Sequence, residues 1–244
     1  MKALILNGSP RAPNKSVTGR LLDTMAQGLT AAGAAVHQVK VAALNISPCT
    51  GCLACMHRTP GQCAIRDDME EIYPHLKTAD LLIIGTPVYV DNMTAQIKAV
   101  VDRSVSCLQP FLTKDGAGRI RHPFNWRMPP KFMLIATSGF PEIETFNPLI
   151  ATFRAQAANF GSEPIAEICI PGSIALQLAP EKLDNHLALI AEIGGKLAST
   201  GAIDKTLVVK VNNPPVKVDE YLEIAAGYEA WCREKLLENA AAKA

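Results

Sequence analysis

Residues 79–88, ADLLIIGTPV, decide the fold: this is the clearest buried strand in the chain, an apolar run that ends at a Gly-Thr-Pro turn. An apolar run of this kind fits a strand covered on both faces, as in a parallel sheet. KALILNGS (2–9) and KFMLIATS (131–138) read the same way, and both end at Gly or Ser-Gly. AAVHQVKV (34–41) and SEPIAEICI (162–170) bring the strands to five. Helical spacing fills the intervals. Residues 17–33 place Leu21, Leu22, Met25 and Leu29 on one face and stop at Gly33. A second helix runs from a cap at Asp67 or Asp68 to about Thr78. Others span 94–106, with Ile97, Val100 and Val101 on one face, then 147–160 and 180–199.

Strands that alternate with helices predict an α/β fold, a three-layer doubly wound parallel sheet. Five strands joined by crossovers fit the flavodoxin-like strand order 2-1-3-4-5. Residues 1–203 read as one domain and 204–244 as an extension, packed on it or on a neighbouring subunit. Within the extension, TLVVKV (206–211) reads as one more strand, followed by a turn at Asn212-Asn213-Pro214-Pro215 and a final helix holding Trp231. Residues 109–130 carry Pro, Gly, Lys and Arg and read as an excursion, in which Arg119, Arg121 and Arg127 form a solvated basic loop.

Composition narrows the function. Of 244 residues, 48% are hydrophobic, which excludes a disordered chain. The 24 basic and 23 acidic residues leave a net +1, without the basic excess of a nucleic-acid surface. No 18-residue apolar run marks a membrane span, and MKALILNGSP reads as a first strand rather than a signal peptide. Seven cysteines, an odd number with four clustered, argue against a secreted disulfide framework and fit a reducing cytoplasm.

Ligands of such sheets bind at the carboxyl ends of the strands. Asn7-Gly8-Ser9-Pro10-Arg11 lies there, just before a helix whose free N–H groups suit a phosphate. It is neither a dinucleotide loop nor a P-loop, since both glycine patterns are missing. Thr86 to Thr94 follows the third strand, and Thr137-Ser138-Gly139-Phe140-Pro141 the fourth. Each loop alone also reads as an ordinary turn with a Ser or Thr cap. Together they converge on one crevice.

The stretches NGSPR, GTPVYVDNMTAQIKAVVDR and CTGCLAC together resemble the NADPH-dependent FMN reductase branch of the flavodoxin-like superfamily, and within it the iron–sulfur flavoproteins, over about residues 1–170. The resemblance implies an oxidoreductase with non-covalent FMN, NAD(P)H as electron donor and a flavin, quinone or similar acceptor. It implies homodimers or homotetramers and a small-molecule or protein redox partner. Carried onto this chain, Ser9, Arg11, Ser16 and Thr18 would hold the phosphate. Pro87, Val88, Tyr89, Asn92 and Met93 would line the ring, with Ser138 and Gly139 at its far side. The loop from Arg11 to Ser16 departs from the commoner Gly-Asn-Thr form, so the phosphate role falls to Ser16, Val17 or Thr18. An alternative is an electron-transfer flavoprotein that acts as carrier or redox sensor without small-molecule turnover.

Cys49, Cys52, Cys55 and Cys63 form a C-x2-C-x2-C-x7-C set. Three readings stay open. Four thiolates suit a [4Fe-4S] cluster, although the gap before Cys63 is longer than is usual in the family. They also suit zinc, which more often takes two separated C-x2-C pairs. The third reading is a loop of reduced thiols without metal. Cys107, Cys169 and Cys232 read as small buried apolar residues. His37 and His57 read as surface residues.

Overall fold

The computed structural model describes residues 1–241. Five strands, β1 (Lys2–Asn7), β2 (Ala35–Lys40), β3 (Leu81–Pro87), β6 (Lys131–Thr137) and β7 (Glu163–Ile170), form one parallel sheet. Its order is β2-β1-β3-β6-β7, which is the flavodoxin-like 2-1-3-4-5 when these five are counted alone. The other two, β4 (Thr113–Lys114) and β5 (Ile120–Arg121), make a small antiparallel hairpin inside the excursion.

Alternation along the strands divides the core. Ala3, Ile5, Leu81, Ile83, Met133 and Ile135 face one side and meet Leu21, Leu22 and Met25 of α1 (Val17–Ala31) and Ile190 and Ile193 of α7 (Asp184–Thr200). Leu4, Leu6, Leu82, Ile84, Phe132 and Leu134 face the other. They meet α3 (Met69–Thr78), α4 (Ala95–Arg103) and α5 (Asn147–Asn159). β3, covered on both faces, is buried from Leu81 to Thr86, which is why ADLLIIG carries no polar alternation. α1 and α7 cross closely at Gly28: a Cβ there would lie 2.3 Å from the carbonyl oxygen of Ala191, a backbone atom that cannot move aside.

The expected strand over 206–211 is instead α8 (Lys205–Val211). Asp204 caps it by accepting from the amides of Thr206 and Leu207, and Leu207 and Val211, one turn apart, bury their side chains. The cap and the i,i+4 burial override the β-branched composition. The chain ends in α6 (Ser173–Leu178), α7, α8 and α9 (Val218–Ala241), and Tyr221 near the start of α9 packs into the core. No helix among the described residues is long and apolar enough to cross a membrane.

Candidate functional site

The carboxyl ends of β1, β3, β6 and β7 open into a cavity of about 150 Å3. The β1 loop and α1 supply Ser9, Arg11, Ser16, Val17 and Thr18, while the β3 loop supplies Pro87, Val88 and Tyr89. Ser16 is the N-cap of α1. Its Oγ accepts from the Gly19 amide at 2.9 Å and donates to Ser9 Oγ at 2.8 Å. Thr18 Oγ1 lies 2.7 Å from Thr137 Oγ1, joining α1 to the end of β6. Among the described residues no acceptor takes the amides of Val17 and Thr18, so they remain available to an anion. Gly8 ties the first loop to the second: its amide donates to the Gly85 carbonyl and its own carbonyl accepts from Thr94 Oγ1. A Cβ at Gly8 would lie 2.3 Å from Ile97 Cγ1 and push α4 away.

The β3 loop turns through Val90 (φ 46°) and Asp91 (φ 62°), closed by reciprocal Tyr89–Asn92 backbone bonds. A β-branched residue in this region costs of order 1–3 kcal/mol, and Val90 is almost wholly exposed, so packing does not offset the strain. The Tyr89–Asn92 bonds that close this turn leave Tyr89, half exposed, at the cavity wall.

Three expected ring residues do not line this cavity. Met93 is buried against the core, and Asn92 turns its amide to Thr152 Oγ1 and its carbonyl to the Met93 amide. Ser138 is buried and donates to the Phe140 carbonyl, whereas its neighbour Thr137 faces the cavity. Gly139 is at the wall as expected. The sequence reading placed Thr137 in the fourth-strand loop without a role of its own, and missed Ser173, Ile174 and Gln177, the last of which accepts a hydrogen bond from the Arg11 guanidinium. The fifth strand also ends in a Gly-Ser turn, Gly172-Ser173, and the strand-end rule applied there would have found them.

The four clustered cysteines surround a second cavity, of about 20 Å3, together with Arg103. Cys49 and Cys52 are exposed, Cys63 is half-buried, and Cys55 is buried at the start of the short α2 (Ala54–His57). Arg103 carries the loop. Its side chain is wholly buried and forks onto Asp67, with Nη1 at 2.7 Å from Oδ2 and Nη2 at 3.1 Å from Oδ1. The same nitrogens donate to the carbonyls of Ser47 and Ile65, just before Cys49 and just after Cys63. Asp67 in turn accepts from the amides of Ser47 and Met69. One ion pair therefore pins both ends of the cysteine loop to α4.

Burial disfavours the charge on each partner, yet each holds the other ionised: Asp67 stays below the ordinary 3.8, and Arg103 is raised by Asp67 and then by Cys63. Nε of Arg103 is buried without a hydrogen-bond partner. Arginine on the buried stripe Ile97, Val100, Arg103 is the signal that sequence reasoning passed over.

A buried guanidinium with a spare donor, beside four thiols that line one cavity, fits an anionic thiolate-bound group. Among the described residues no three His, Cys, Asp or Glu side chains converge as a single metal ion requires. The cavity holds about one water, so a cluster would need the exposed Cys49 and Cys52 to give way.

The thiols differ in reactivity. The Ala54 amide and then the Thr50 hydroxyl pull Cys52 below the ordinary 9.0, while burial and then Cys63 push Cys55 up. Burial pushes Cys107 and Cys169 up to about 12. Cys232 is half-exposed on α9, contrary to its expected burial. Limiting iodoacetamide at about pH 7.5 is expected to label Cys52 first and Cys107 and Cys169 last, read by peptide mass spectrometry. Early labelling of Cys107 would contradict this order.

The excursion stays basic: Arg119 pairs with Asp115 at 2.8 Å, Arg121 lies 3.9 Å from the same carboxylate, and Arg127 is exposed. His37 stacks on His75 at 3.5 Å between centroids, at the β2 side of the sheet.

The sequence profile described as NADPH-dependent FMN reductase matches residues 1–127, which carry the β1 loop, the cysteine loop and the β3 loop. The chain belongs to this family. An iron–sulfur flavoprotein of Archaeoglobus fulgidus is 37% identical over 103 residues, 42% of this chain and 45% of that protein. The chain spans about half the length of the curated relatives it matches. Among solved structures, an NAD(P)H:quinone oxidoreductase from Methanothermobacter marburgensis superposes with a TM-score of 0.60 at 15% identity, over 81% of this chain and 96% of that one. An FMN-dependent NADH-azoreductase from Bacillus anthracis str. Ames Ancestor, in complex with FMN, gives 0.59 at 17% identity, over 81% and 99%. At these identities the likeness is one of fold. It extends the family's architecture beyond residue 127, into β6, β7 and the helices that complete the strand-end cavity.

Proposed function

We propose that this chain is an FMN-dependent oxidoreductase that takes electrons from NAD(P)H and passes them to a flavin, quinone or similar acceptor. The observation that carries this reading is the cavity at the strand ends, where the first amides of α1 are free and hydroxyls of Ser9, Ser16 and Thr18 surround them. These groups suit the FMN phosphate. Pro87, Val88, Tyr89 and Gly139 then offer a wall for the ring. Bound FMN supplies the redox chemistry, and the protein positions it and excludes competing reactions. Asn92, Met93 and Ser138 support the wall from behind rather than touching the ring.

The cysteine loop favours a second element of the same reading, a [4Fe-4S] relay held by Cys49, Cys52, Cys55 and Cys63, with the unpaired Nε of Arg103 beside it. If the chain served only as carrier or redox sensor, the same two sites would suffice. The exposed Leu222, Trp231, Leu236 and Leu237 along α9 suit contact with a second copy, in keeping with a homodimer or homotetramer. Clustered reduced thiols suit the cytoplasm.

Protein purified without oxygen is expected to show flavin absorption bands with a broad shoulder and about four irons per chain. Steady oxidation of NAD(P)H by this material supports the reductase, and its absence the carrier. Flavin bands without iron would remove the relay alone. A colourless protein that binds no added FMN would overturn the whole reading.

A further inference from the structure

The helix α9 lies outside the residues that the family profile covers, yet it reaches the strand-end cavity from behind. Tyr221, in its first turn, is buried and joins the core beside Ala175 and Leu176 of α6. Its hydroxyl donates to the Gly139 carbonyl at 3.1 Å, across 82 residues of chain. Burial, and after it Glu142, keep this phenol above the ordinary 10.0, so the hydroxyl stays protonated and able to donate. The neighbouring Glu220 pairs with Lys182 at 2.5 Å and ties the start of α9 to the segment between α6 and α7.

The bond from Tyr221 orients the loop after β6. The carbonyls of Ser138, Gly139 and Phe140 all turn back into the protein. Ser138 accepts from the Ser173 amide at 2.8 Å, Gly139 from Tyr221, and Phe140 from the Gly172 amide at 2.8 Å and Ser138 Oγ at 2.7 Å. A trans peptide points its N–H opposite to its C=O, and no peptide bond here is cis. The amides of Gly139 and Phe140 therefore face away from α6 and α9, and among the described residues neither has an acceptor. Gly139 lines the cavity and Tyr221 does not, so the cavity lies on the free side of these peptides. Backbone donors in such a wall call for water or a ligand as partner.

We propose that Tyr221 is a positioning residue for the flavin ring: by holding the Gly139 carbonyl back, it keeps the amides of Gly139 and Phe140 turned to the ligand as a pair of donors. This inference rests on the proposed FMN reading. Such donors suit the carbonyl oxygens at the polar end of the ring. Without the hydroxyl, the Gly139–Phe140 peptide is free to rotate, because Gly139 has no Cβ to resist, and the second donor turns away.

The test is a double-mutant cycle in the full-length protein, read by FMN fluorescence quenching. Tyr221→Phe keeps the ring in the core and removes only the donor; it should weaken FMN binding about 5-fold. Phe140→Pro removes the amide itself, at an exposed residue whose following Pro141 already favours extended backbone; it should weaken binding about 10-fold. Because Tyr221 acts through that amide, the double variant should bind no more weakly than Phe140→Pro alone. If Tyr221 served packing alone, the two losses would multiply to about 50-fold, which would overturn the proposal. If either variant fails to fold by circular dichroism, hydrogen exchange in the wild-type protein decides: FMN should slow exchange of the Phe140 amide, and an unchanged rate overturns the proposal. A wild-type chain that binds no FMN would sink the flavin reading and this inference with it. Wild-type binding that survives Tyr221→Phe unchanged would sink this inference alone.

Discussion

Arg103→Met is expected to destabilise the protein by about 3–5 kcal/mol and to release the cysteine loop, because it leaves the Asp67 carboxylate buried without its counter-charge. The same change frees the carbonyls of Ser47 and Ile65, which the guanidinium holds on either side of the four thiols. Urea unfolding measures the first effect. Protease cleavage between residues 48 and 66, together with iron per chain after anaerobic reconstitution, measures the second. Adding Asp67→Asn should recover part of the stability by removing the orphaned charge, but not the iron, since the loop ends stay untethered. A single variant as stable as wild type with its loop uncut would refute the clamp.

The pH dependence carries its own signature. Although burial alone would raise it, the folded Asp67 carboxyl is held below the ordinary 3.8 by Arg103 and by the amides of Ser47 and Met69. Its stabilisation is therefore fully present above that value and is lost as pH falls through the folded pKa. In Arg103→Met the opposing guanidinium is gone and burial raises the carboxyl instead. The gap in stability between wild type and variant should thus be widest at neutral pH and should close in acid.

Ser16→Asp is expected to cut FMN affinity by at least about 100-fold while leaving the unfolding midpoint near that of wild type. Aspartate caps a helix as well as serine does, and it favours the positive end of the helix dipole, so α1 keeps its start. Beside a phosphate, however, the new carboxylate is repulsive. A unit charge pair at 4 Å is worth about 4 kcal/mol at an effective dielectric of about 20, and the phosphate carries more than one charge. Ser16→Ala gives the opposite pattern: about 1 kcal/mol of stability lost with the cap, and a modest change in affinity. FMN fluorescence quenching and thermal melts separate the two. Unchanged affinity in Ser16→Asp would place the phosphate elsewhere than the start of α1.

β1, β3 and β6 were legible because each is buried on both faces, and such burial writes an apolar run into the chain; the edge strands β2 and β7 keep exposed and half-buried positions and were legible from their place between helices. The strand ends were legible for the same reason, and with them Ser9, Ser16 and Thr18. At single-residue scale the reading faltered where neighbours in the chain face opposite ways. Thr137 reaches the cavity and Ser138 does not; Tyr89 does and Met93 is drawn into the core. Residues 206–211 misled because β-branched side chains suit a strand in general, while here Asp204 nucleates a helix and Leu207 and Val211 find a buried face. Arg103 ends the stretch GTPVYVDNMTAQIKAVVDR, one of those that carry the resemblance, yet its partner Asp67 is 36 residues away, and no local pattern links them.

The chain alone carried the alternation of strands and helices, the helix start that can receive a phosphate and the four thiols within one loop. Each of these depends on periodicity or on neighbours a few residues apart. Folding in three dimensions is what brings Gln177 to Arg11, sets Arg103 and Asp67 as a clamp on the cysteine loop, and puts Arg121 and Gln156 on one cavity beside Cys49. Those pairings join residues separated by 166, 36 and 35 positions. They follow from how helices pack across the sheet, where the cost of burying polar groups selects partners in space rather than along the chain.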